Sequence, residues 1–244
     1  MENLKSTEKQ LQARGAICQE KLEQYEKMQT QELFAHLDSK IAWQRTMAVH
    51  RLGEILDKDD EKLIDILLPM LEKEKALYTK IEICQLLQQA GPKTCQKMIA
   101  YLGKIGDNQY KQVPSRISKK ISYPLPRDII ARTMAKMNPV VFPTLLQLLE
   151  TRQEDILVEG LDAIGFMVFY HPELASKENL EKIVSSCRKH SQDERIIWKC
   201  AMCFSAFPLQ ETQVVLEQLQ KTVTNPTVQA EIQKSLDRIR GIEQ

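Results

Sequence analysis

One stretch of the chain, residues 138 to 171, most strongly limits the folds that are open to it. The stretch reads NPVVFPTLLQLLETRQEDILVEGLDAIGFMVFYH, with two apolar stripes of helical spacing on either side of the polar turn TRQED. The stripes consist of Val141, Leu145, Leu148 and Leu149, then Leu157, Leu161, Ile164 and Val168. Two short amphipathic helices cannot bury both stripes alone, so each such unit needs a neighbouring copy. The stretch therefore predicts an array of helix pairs.

Similar helix pairs precede and follow this stretch. They span residues 31–56, 61–91, 179–207 and 211–239, and another begins at residue 93, is interrupted, and resumes at residue 127. Equivalent core positions on the second helices are predicted at Ala48, Ile83, Ala131, Leu161, Cys200 and Glu231. Because Glu231 is charged, either the last pair is a cap or the register shifts there. Six pairs of roughly 30 to 45 residues are expected.

Residues 1–30 are predicted to form an N-terminal capping helix, with the repeat array covering residues 31–244. Leu4, Leu11, Cys18 and Tyr25 recur every seven residues, but the other seam position of this heptad is polar. A coiled coil needs apolar residues at both seam positions. A polar helix that covers the open end of a repeat array is the simpler interpretation.

Composition excludes several other classes of protein. The 244-residue chain has only 8 glycines and 10 prolines and a formal net charge of +1, so no global field indicates a nucleic acid or a membrane. The charged N-terminus is unlike a signal peptide, and no apolar run is long enough to span a membrane. The six cysteines are scattered. These features predict a cytoplasmic, all-α protein with no cofactor; they do not indicate its oligomeric state.

Two segments carry a resemblance to a known family. The sequences LIDILLPMLEKEKALYTKIEICQLL and VVFPTLLQLLETRQEDILVEGLDAIG resemble HEAT repeats, in which a proline near the middle of the first helix precedes a polar turn and a second helix. Pro69 and Pro143 occupy that position. The resemblance covers about residues 31–239 and implies an armadillo-like helical fold, a right-handed α-solenoid of about six HEAT-like pairs. It also implies a scaffold for proteins or, in some members, for nucleic acids.

An insert in the third pair, residues 103–128, is the least regular part of the sequence. It reads GKIGDNQYKQVPSRISKKISYPLPRD, contains three prolines and shows no helical stripe. Residues 93–137 hold ten basic and two acidic residues, a net +8, which leaves −7 for the rest of the chain. Long irregular loops in compact domains are often functional. The predicted contact residues are Lys111, Arg116, Lys119, Lys120, Tyr123 and Arg127.

Three interpretations of the insert remain open from sequence. It can be a solvated loop that packs Tyr123 and Pro124 back onto the array. It can dock on an acidic protein surface, or it can bind a polyanion through its cations and tyrosines.

A metal site is a weaker candidate. Cys187-x-x-His190 and Cys200-x-x-Cys203 have a spacing seen at zinc sites. The second pair lies in the apolar run RIIWKCAMCFSAF without a glycine knuckle, where cysteines more often fill a core. The prediction is therefore that no metal is bound.

Catalytic motifs are missing from the sequence. It contains no glycine-rich phosphate loop, nucleophile elbow or HExxH motif. DNA glycosylases built from HEAT-like repeats are the one enzyme class of similar kind, and a near-neutral chain fits poorly with duplex binding. We therefore expect a non-catalytic scaffold or adaptor for a macromolecular partner, a protein in the first instance. The alternative is a nucleic-acid-binding module that uses the same basic insert.

Overall fold

The computed structural model describes residues 6–17 and 19–241, and within them the chain forms helices and turns without a β-strand. It divides into two compact units, Met1–Thr94 and Cys95–Gln244. No helix in the described ranges is both long enough and apolar enough to cross a membrane.

Unit 1 contains two complete helix pairs preceded by short helical segments. Its helices are α1 (Glu8–Ala13), α2 (Leu22–Glu26), α3 (Thr30–His36), α4 (Ala42–Ile55), α5 (Glu61–Lys73) and α6 (Leu77–Gln88). Helix α4 packs against α3 and α6, and α5 packs against α6. The second helices of the two pairs are therefore stacked side by side, each covered by its own first helix.

Unit 2 continues with the remaining pairs. Helix α7 (Pro92–Met98) begins at the end of unit 1, and α8 (Ile129–Met134), α9 (Phe142–Leu146), α10 (Glu154–Tyr170), α11 (Lys177–Lys189), α12 (Glu194–Phe204), α13 (Gln210–Thr222) and α14 (Pro226–Ile239) follow. Helix α10 packs against α8, α9 and α12, α12 packs against α11 and α14, and α13 packs against α14. The helices α8, α10, α12 and α14 thus form one layer, named here the second-helix layer.

This packing confirms the all-α repeat fold that the apolar spacing predicts. Every residue of both stripes between residues 138 and 171 is buried, and so are all six predicted core positions. Glu231 is among them at 4% exposure, so the register holds through the last pair.

The two prolines of the HEAT-like pattern are not equivalent. Pro69 lies inside α5, as the resemblance implies. Pro143 lies in the first turn of α9, where its missing N–H leaves no helical hydrogen bond unmade. Two 3-10 turns, Pro139–Val141 and Gln147–Glu150, flank α9. The first helix of this pair is therefore three short helical segments rather than one α-helix.

The N-terminal segment differs from the expected single helix. Helices α1 and α2 are separated by a turn in which Gly15 has a φ of +89°. A Cβ at Gly15 would lie 2.5 Å from Thr79 Oγ1 and 2.9 Å from Thr46 Oγ1, so only glycine fits this close approach. Leu4 and Cys18 of the heptad pattern lie outside the described residues. The capping role of residues 1–30 stays a prediction.

Candidate functional site

The insert lies on the second-helix layer of unit 2 without forming a helix or strand. Lys234 of α14 donates to the Ser118 carbonyl at 2.5 Å, and Arg238 of the same helix donates to the Ile121 carbonyl. Arg132 Nε of α8 donates to the carbonyl of Pro126 at 2.9 Å. An extended segment has no internal partner for its backbone groups. Side chains of the layer therefore hold the insert backbone at three points.

Tyr123 anchors the insert in the core of unit 2. Its side chain is only 2% exposed, and its ring contacts Phe166 and Phe169 of α10. A Cβ at Gly165 would lie 1.9 Å from Tyr123 Oη, so the glycine makes room for the ring. Burial raises the pKa of Tyr123 well above its ordinary value. The expectation of Tyr123 as an exposed contact residue is therefore wrong, and the alternative that it packs back onto the array is what the structure shows.

The five cationic residues predicted in the insert are exposed. They are Lys111, Arg116, Lys119, Lys120 and Arg127. The guanidinium of Arg127 lies 4.4 Å from the centre of the Tyr110 ring, a cation–π contact that orients it. Between the cations, Ile121 is 68% exposed and Leu125 is 40% exposed. The outer face of the insert thus combines positive charge with apolar surface.

Beneath the insert lies a buried ion pair between α10 and α12. Lys199 Nζ donates to Asp162 Oδ2 at 2.5 Å, and their side chains are 1% and 5% exposed. The ammonium also lies 4.4 Å from the ring of Trp198 and 4.9 Å from that of Tyr110. Paired charges surrounded by aromatic rings can be accommodated in a core, whereas an unpaired charge there is very costly.

Aromatic and carboxyl groups extend this site towards α14. Tyr110 of the insert meets Trp198 edge-on, with ring centres 4.9 Å apart. Trp198 Nε1 donates to Glu231 Oε2 at 3.2 Å. Burial raises the pKa of Glu231, although the hydrogen bond from Trp198 opposes this shift. Glu231, the charged residue at a predicted core position, is thus hydrogen-bonded to Trp198 of the preceding repeat.

Glu159 of α10 is a buried carboxyl group with a strongly raised pKa. Burial and, after it, the charge of the neighbouring Asp162 raise its pKa to about 7, against the opposing effect of the Lys199 ammonium. Burial also raises the pKa of Asp162, although the ammonium of Lys199 opposes this. In the described part of the chain, five buried side-chain polar atoms make no hydrogen bond, and three of them are Tyr123 Oη, Glu159 Oε2 and Asp162 Oδ1. The incompletely satisfied groups are therefore concentrated beneath and within the insert.

The weak zinc candidates are only partly brought together. Cys187 of α11 and Cys200 of α12 are hydrogen-bonded through their thiols, and this contact lowers the pKa of Cys187. Cys203 lies next to Gly165 of α10, and burial raises its pKa. His190 ends α11 as its C-cap. Within the described ranges, no group of three or more His, Cys, Asp or Glu residues is arranged to hold a metal ion.

The residues that the second-helix layer contributes to this site are not apparent from the sequence. Asp162 and Lys199 lie 37 residues apart, and Trp198 and Glu231 lie 33 apart, which is one repeat in each case. Charged residues inside the apolar runs of α10 and α12, at one-repeat spacing and with opposite sign, were the signal that could have found the first pair. Lys234 and Arg238 carry no comparable signal, because they resemble ordinary surface cations of an amphipathic helix.

No protein-family model matches this chain, and no curated protein matches it. Among solved structures, an engineered protein is 15% identical, over 88% of this chain and 98% of its own, with a TM-score of 0.42. A computationally designed armadillo repeat protein for modular peptide recognition is 14% identical. The match covers 86% of this chain and 99% of the designed protein, with a TM-score of 0.41. A second designed armadillo repeat protein is 16% identical, over 86% and 100%, with a TM-score of 0.35. The repeat fold of this chain accordingly rests on the packing of its own helices.

Proposed function

We propose that this chain is a non-catalytic, HEAT-like scaffold of the cytoplasm that binds a protein partner through the outer face of the insert. The contact residues are the exposed cations Lys111, Arg116, Lys119, Lys120 and Arg127. The supporting observation is the attachment of the insert, which is held at three backbone carbonyls and by the buried Tyr123. Its cations are thereby presented on a backbone with a defined path.

A preformed binding segment has a physical advantage over a free loop. Ordering a side chain or loop on binding costs free energy, and a segment that is already held in place avoids part of that cost. The spacing of cations around Ile121 and Leu125 favours a partner surface that is acidic and contains an apolar contact. The opposite charges would steer association and set orientation, so the association rate is expected to fall as salt is added.

The buried groups of the site support a non-catalytic role. Lys199 and Asp162 are paired with each other and nearly inaccessible to solvent. Glu159 has a pKa near neutrality, as a general base requires, but it is only 2% exposed and is covered by its own chain. Such groups shape the interior of the repeat array rather than meet a substrate.

Site-specific photo-crosslinking tests the proposal. A crosslinking residue at Ser115 or Ser122, both exposed in the insert, is compared with one at Lys182 on α11. The captured protein is then purified, and its affinity is measured for the wild type and for the triple variant Arg116→Glu, Lys119→Glu, Lys120→Glu. We expect capture at the insert positions only, and a loss of at least about tenfold in affinity, since three charge contacts are reversed.

A matched control separates the insert from the general charge of the protein. Lys177→Glu, Lys182→Glu and Lys189→Glu change the net charge equally, but they lie on α11, outside the second-helix layer. This variant should bind the captured partner as the wild type does. Equal loss of affinity in both triple variants would show that overall charge, and not the insert, is responsible.

Nucleic acid binding through the same cations is the alternative outcome. Fluorescence anisotropy with labelled duplex DNA and single-stranded RNA at two salt concentrations measures it directly. If the insert neutralised about four phosphates, the logarithm of the duplex binding constant would fall with the logarithm of salt at a slope of about −3.6. Salt-sensitive binding that is abolished in the insert triple variant would replace the protein partner with a nucleic acid.

A further inference from the structure

We propose that the face of α10, α12 and α14 beneath the insert is itself a binding surface for an extended, basic polypeptide segment of another protein, and that residues 109–127 occupy it as an internal ligand. This inference rests on the proposed function of a protein-binding scaffold. It adds a second contact surface, the chemistry of the segment that fits it, and competition between that segment and the insert.

The groups on α14 that hold the insert bind its backbone. Lys234 and Arg238 donate to main-chain carbonyls, at Ser118 and Ile121, rather than to insert side chains. Every polypeptide offers such carbonyls, so these two contacts are independent of the sequence of the occupant. They lie one helical turn apart on α14 and hold carbonyls three residues apart on the insert. This part of the surface is therefore suited to an extended backbone.

Two aromatic sites on this surface would give selectivity. Tyr123 fills a space made by Phe166, Phe169 and Gly165 on α10. Tyr110 lies against Trp198 on α12. Aromatic side chains bury large apolar areas and dominate the energetics of many interfaces. A segment with aromatic residues at corresponding positions would make the same contacts.

The contact between the insert and this surface leaves buried polar atoms without a partner. Tyr123 Oη, Glu159 Oε2 and Asp162 Oδ1 are buried without a hydrogen-bond partner. Leaving such an atom unpaired in a core is unfavourable, and buried polar groups in native proteins are ordinarily satisfied. Two of the three are carboxylate oxygens that lack a donor. An occupant that brings an additional ammonium or guanidinium group to them would bind better than the insert does.

The charge of the insert agrees with this assignment of ligand chemistry. Residues 109–127 contain five basic residues and no acidic residue. Lys111 lies close enough to Glu159 to lower its pKa, which opposes the effect of burial. The segment that lies beside the carboxyl groups of α10 in this structure is therefore itself basic, and a basic partner segment would have the same charge complementarity.

The covalent connection of the insert to the chain determines when a partner segment can bind to this surface. An internal ligand is present at an effective concentration in the millimolar range for a short flexible connection. A segment of equal intrinsic affinity in solution cannot displace it at micromolar concentration. Entry requires a segment that binds more tightly, or an insert that is weakened. Because the insert has no helical or strand hydrogen bonds of its own, we expect it to open at a lower free energy than α10 and α12.

The direct test uses the chain's own segment as the probe. A labelled synthetic peptide with the sequence of residues 109–127 is titrated into the wild type and into Tyr123→Ala, which removes the internal anchor. We expect at least about tenfold tighter binding to Tyr123→Ala than to the wild type, because the weakened internal copy no longer competes. A scrambled peptide and a peptide with alanine at the position of Tyr123 should bind neither protein.

Two further variants test the surface itself in the Tyr123→Ala background. Lys234→Ala with Arg238→Ala should lower peptide affinity by about tenfold, since two contacts to main-chain carbonyls are lost. Lys221→Ala with Arg240→Ala, at the ends of α13 and α14, removes the same charge and should leave affinity unchanged. No peptide binding by a Tyr123→Ala protein that retains wild-type helicity and cooperative unfolding would overturn the proposal.

Hydrogen exchange in the wild type covers the case in which Tyr123→Ala does not fold. Amides of residues 113–125 should exchange at least about tenfold faster than those at the centres of α10 and α12. Exchange of the insert only through global unfolding would overturn the proposal. If the insert neither opens locally nor is replaced by the peptide, the proposed function still stands. That function depends on the outward cations and on a captured partner rather than on opening of the insert.

Discussion

Single residues in α10 and α12 show how burial and charge are balanced in unit 2. Lys199, Asp162 and Glu159 lie on apolar helices, where ionised groups are strongly disfavoured. Each of the two carboxyl groups has one buried oxygen without a hydrogen bond, but the other oxygen of Asp162 is paired with the Lys199 ammonium at 2.5 Å. The two carboxyl groups therefore respond differently to substitution and to pH.

The raised pKa of Glu159 predicts a pH-dependent effect of Glu159→Gln. The folded protein holds the proton of this carboxyl more tightly than the unfolded chain does, because Asp162 and Asp128 add to burial and Lys199 and Lys111 only partly offset it. Ionising the buried Glu159 carboxyl destabilises the folded protein. This destabilisation is absent below the ordinary pKa of the carboxyl, grows as pH rises towards about 7, and is complete above that. The free energy of unfolding should rise in the variant by up to about 3 kcal/mol at alkaline pH, and little at acidic pH.

Urea unfolding of the wild type and Glu159→Gln at about pH 4 and about pH 8 measures this difference. Glu181→Gln, at an exposed position of α11, is the matched control and should leave the free energy of unfolding nearly unchanged at both pH values. An equal effect of Glu159→Gln at both pH values would show that the carboxyl does not titrate in this range.

The buried pair of Lys199 and Asp162 predicts non-additive substitutions. Lys199→Met leaves the Asp162 carboxylate buried without its partner and should lower the free energy of unfolding by about 3–5 kcal/mol. Lys199→Met combined with Asp162→Asn removes both charges and should recover most of that loss. Thermal or urea unfolding of the two single variants and the double variant measures the coupling; a double variant that is no more stable than Lys199→Met would contradict it.

At the scale of elements, Asp128 joins the two ends of the insert to α8. It is the N-cap of α8 and accepts from Ala131 N at 2.8 Å. Its other carboxylate oxygen accepts from Gly103 N at 3.3 Å and from Gln109 Nε2 at 2.8 Å. The residue that starts the helix therefore also closes the loop before it.

Removing this carboxyl should loosen the insert and destabilise unit 2. Asp128→Ala loses an N-cap and two further hydrogen bonds, which should cost about 2–3 kcal/mol. Hydrogen exchange of residues 103–128 should also speed up relative to the centre of α10. Asp128→Asn keeps the oxygen that can cap α8 and should cost less than half as much; equal losses in the two variants would mean that the charge matters and the cap geometry does not.

At the scale of the whole molecule, charge is distributed unevenly along the chain. Residues 93–137 carry a net +8 and the rest of the chain −7. A net charge near zero therefore conceals a strongly basic segment, whose exposed cations can attract acidic partners at low salt. This distribution affects association and contributes little to folding.

The insert triple variant Arg116→Glu, Lys119→Glu, Lys120→Glu should therefore retain its stability. These side chains are exposed, and substitutions at such positions ordinarily change the free energy of unfolding by less than about 0.5 kcal/mol each. Urea unfolding at physiological salt measures the change. A loss far above that range would indicate that these cations hold the insert in place, and the variant could then not be used to test partner binding.

The fold itself was largely predictable from the sequence, because apolar periodicity is a local signal. The stripes from Val141 to Val168 indicate which side of each helix is buried, and the one-repeat spacing of Ala48 to Glu231 indicates which helices are equivalent. Helical periodicity did not predict that proline and 3-10 turns divide the first helix of the fourth pair, since the apolar stripe continues across the breaks.

What the sequence by itself determined is the all-α repeat fold, the position of the insert and the presence of its cations. Only the tertiary structure decided that Tyr123 points inwards, that Lys199 is paired with Asp162, and that Lys234 and Arg238 hold the insert backbone. The physical reason is the range of the interactions. Burial of a helix face repeats every few residues, whereas the contacts of Lys234 and Arg238 join atoms more than a hundred residues apart, at distances that no local pattern records.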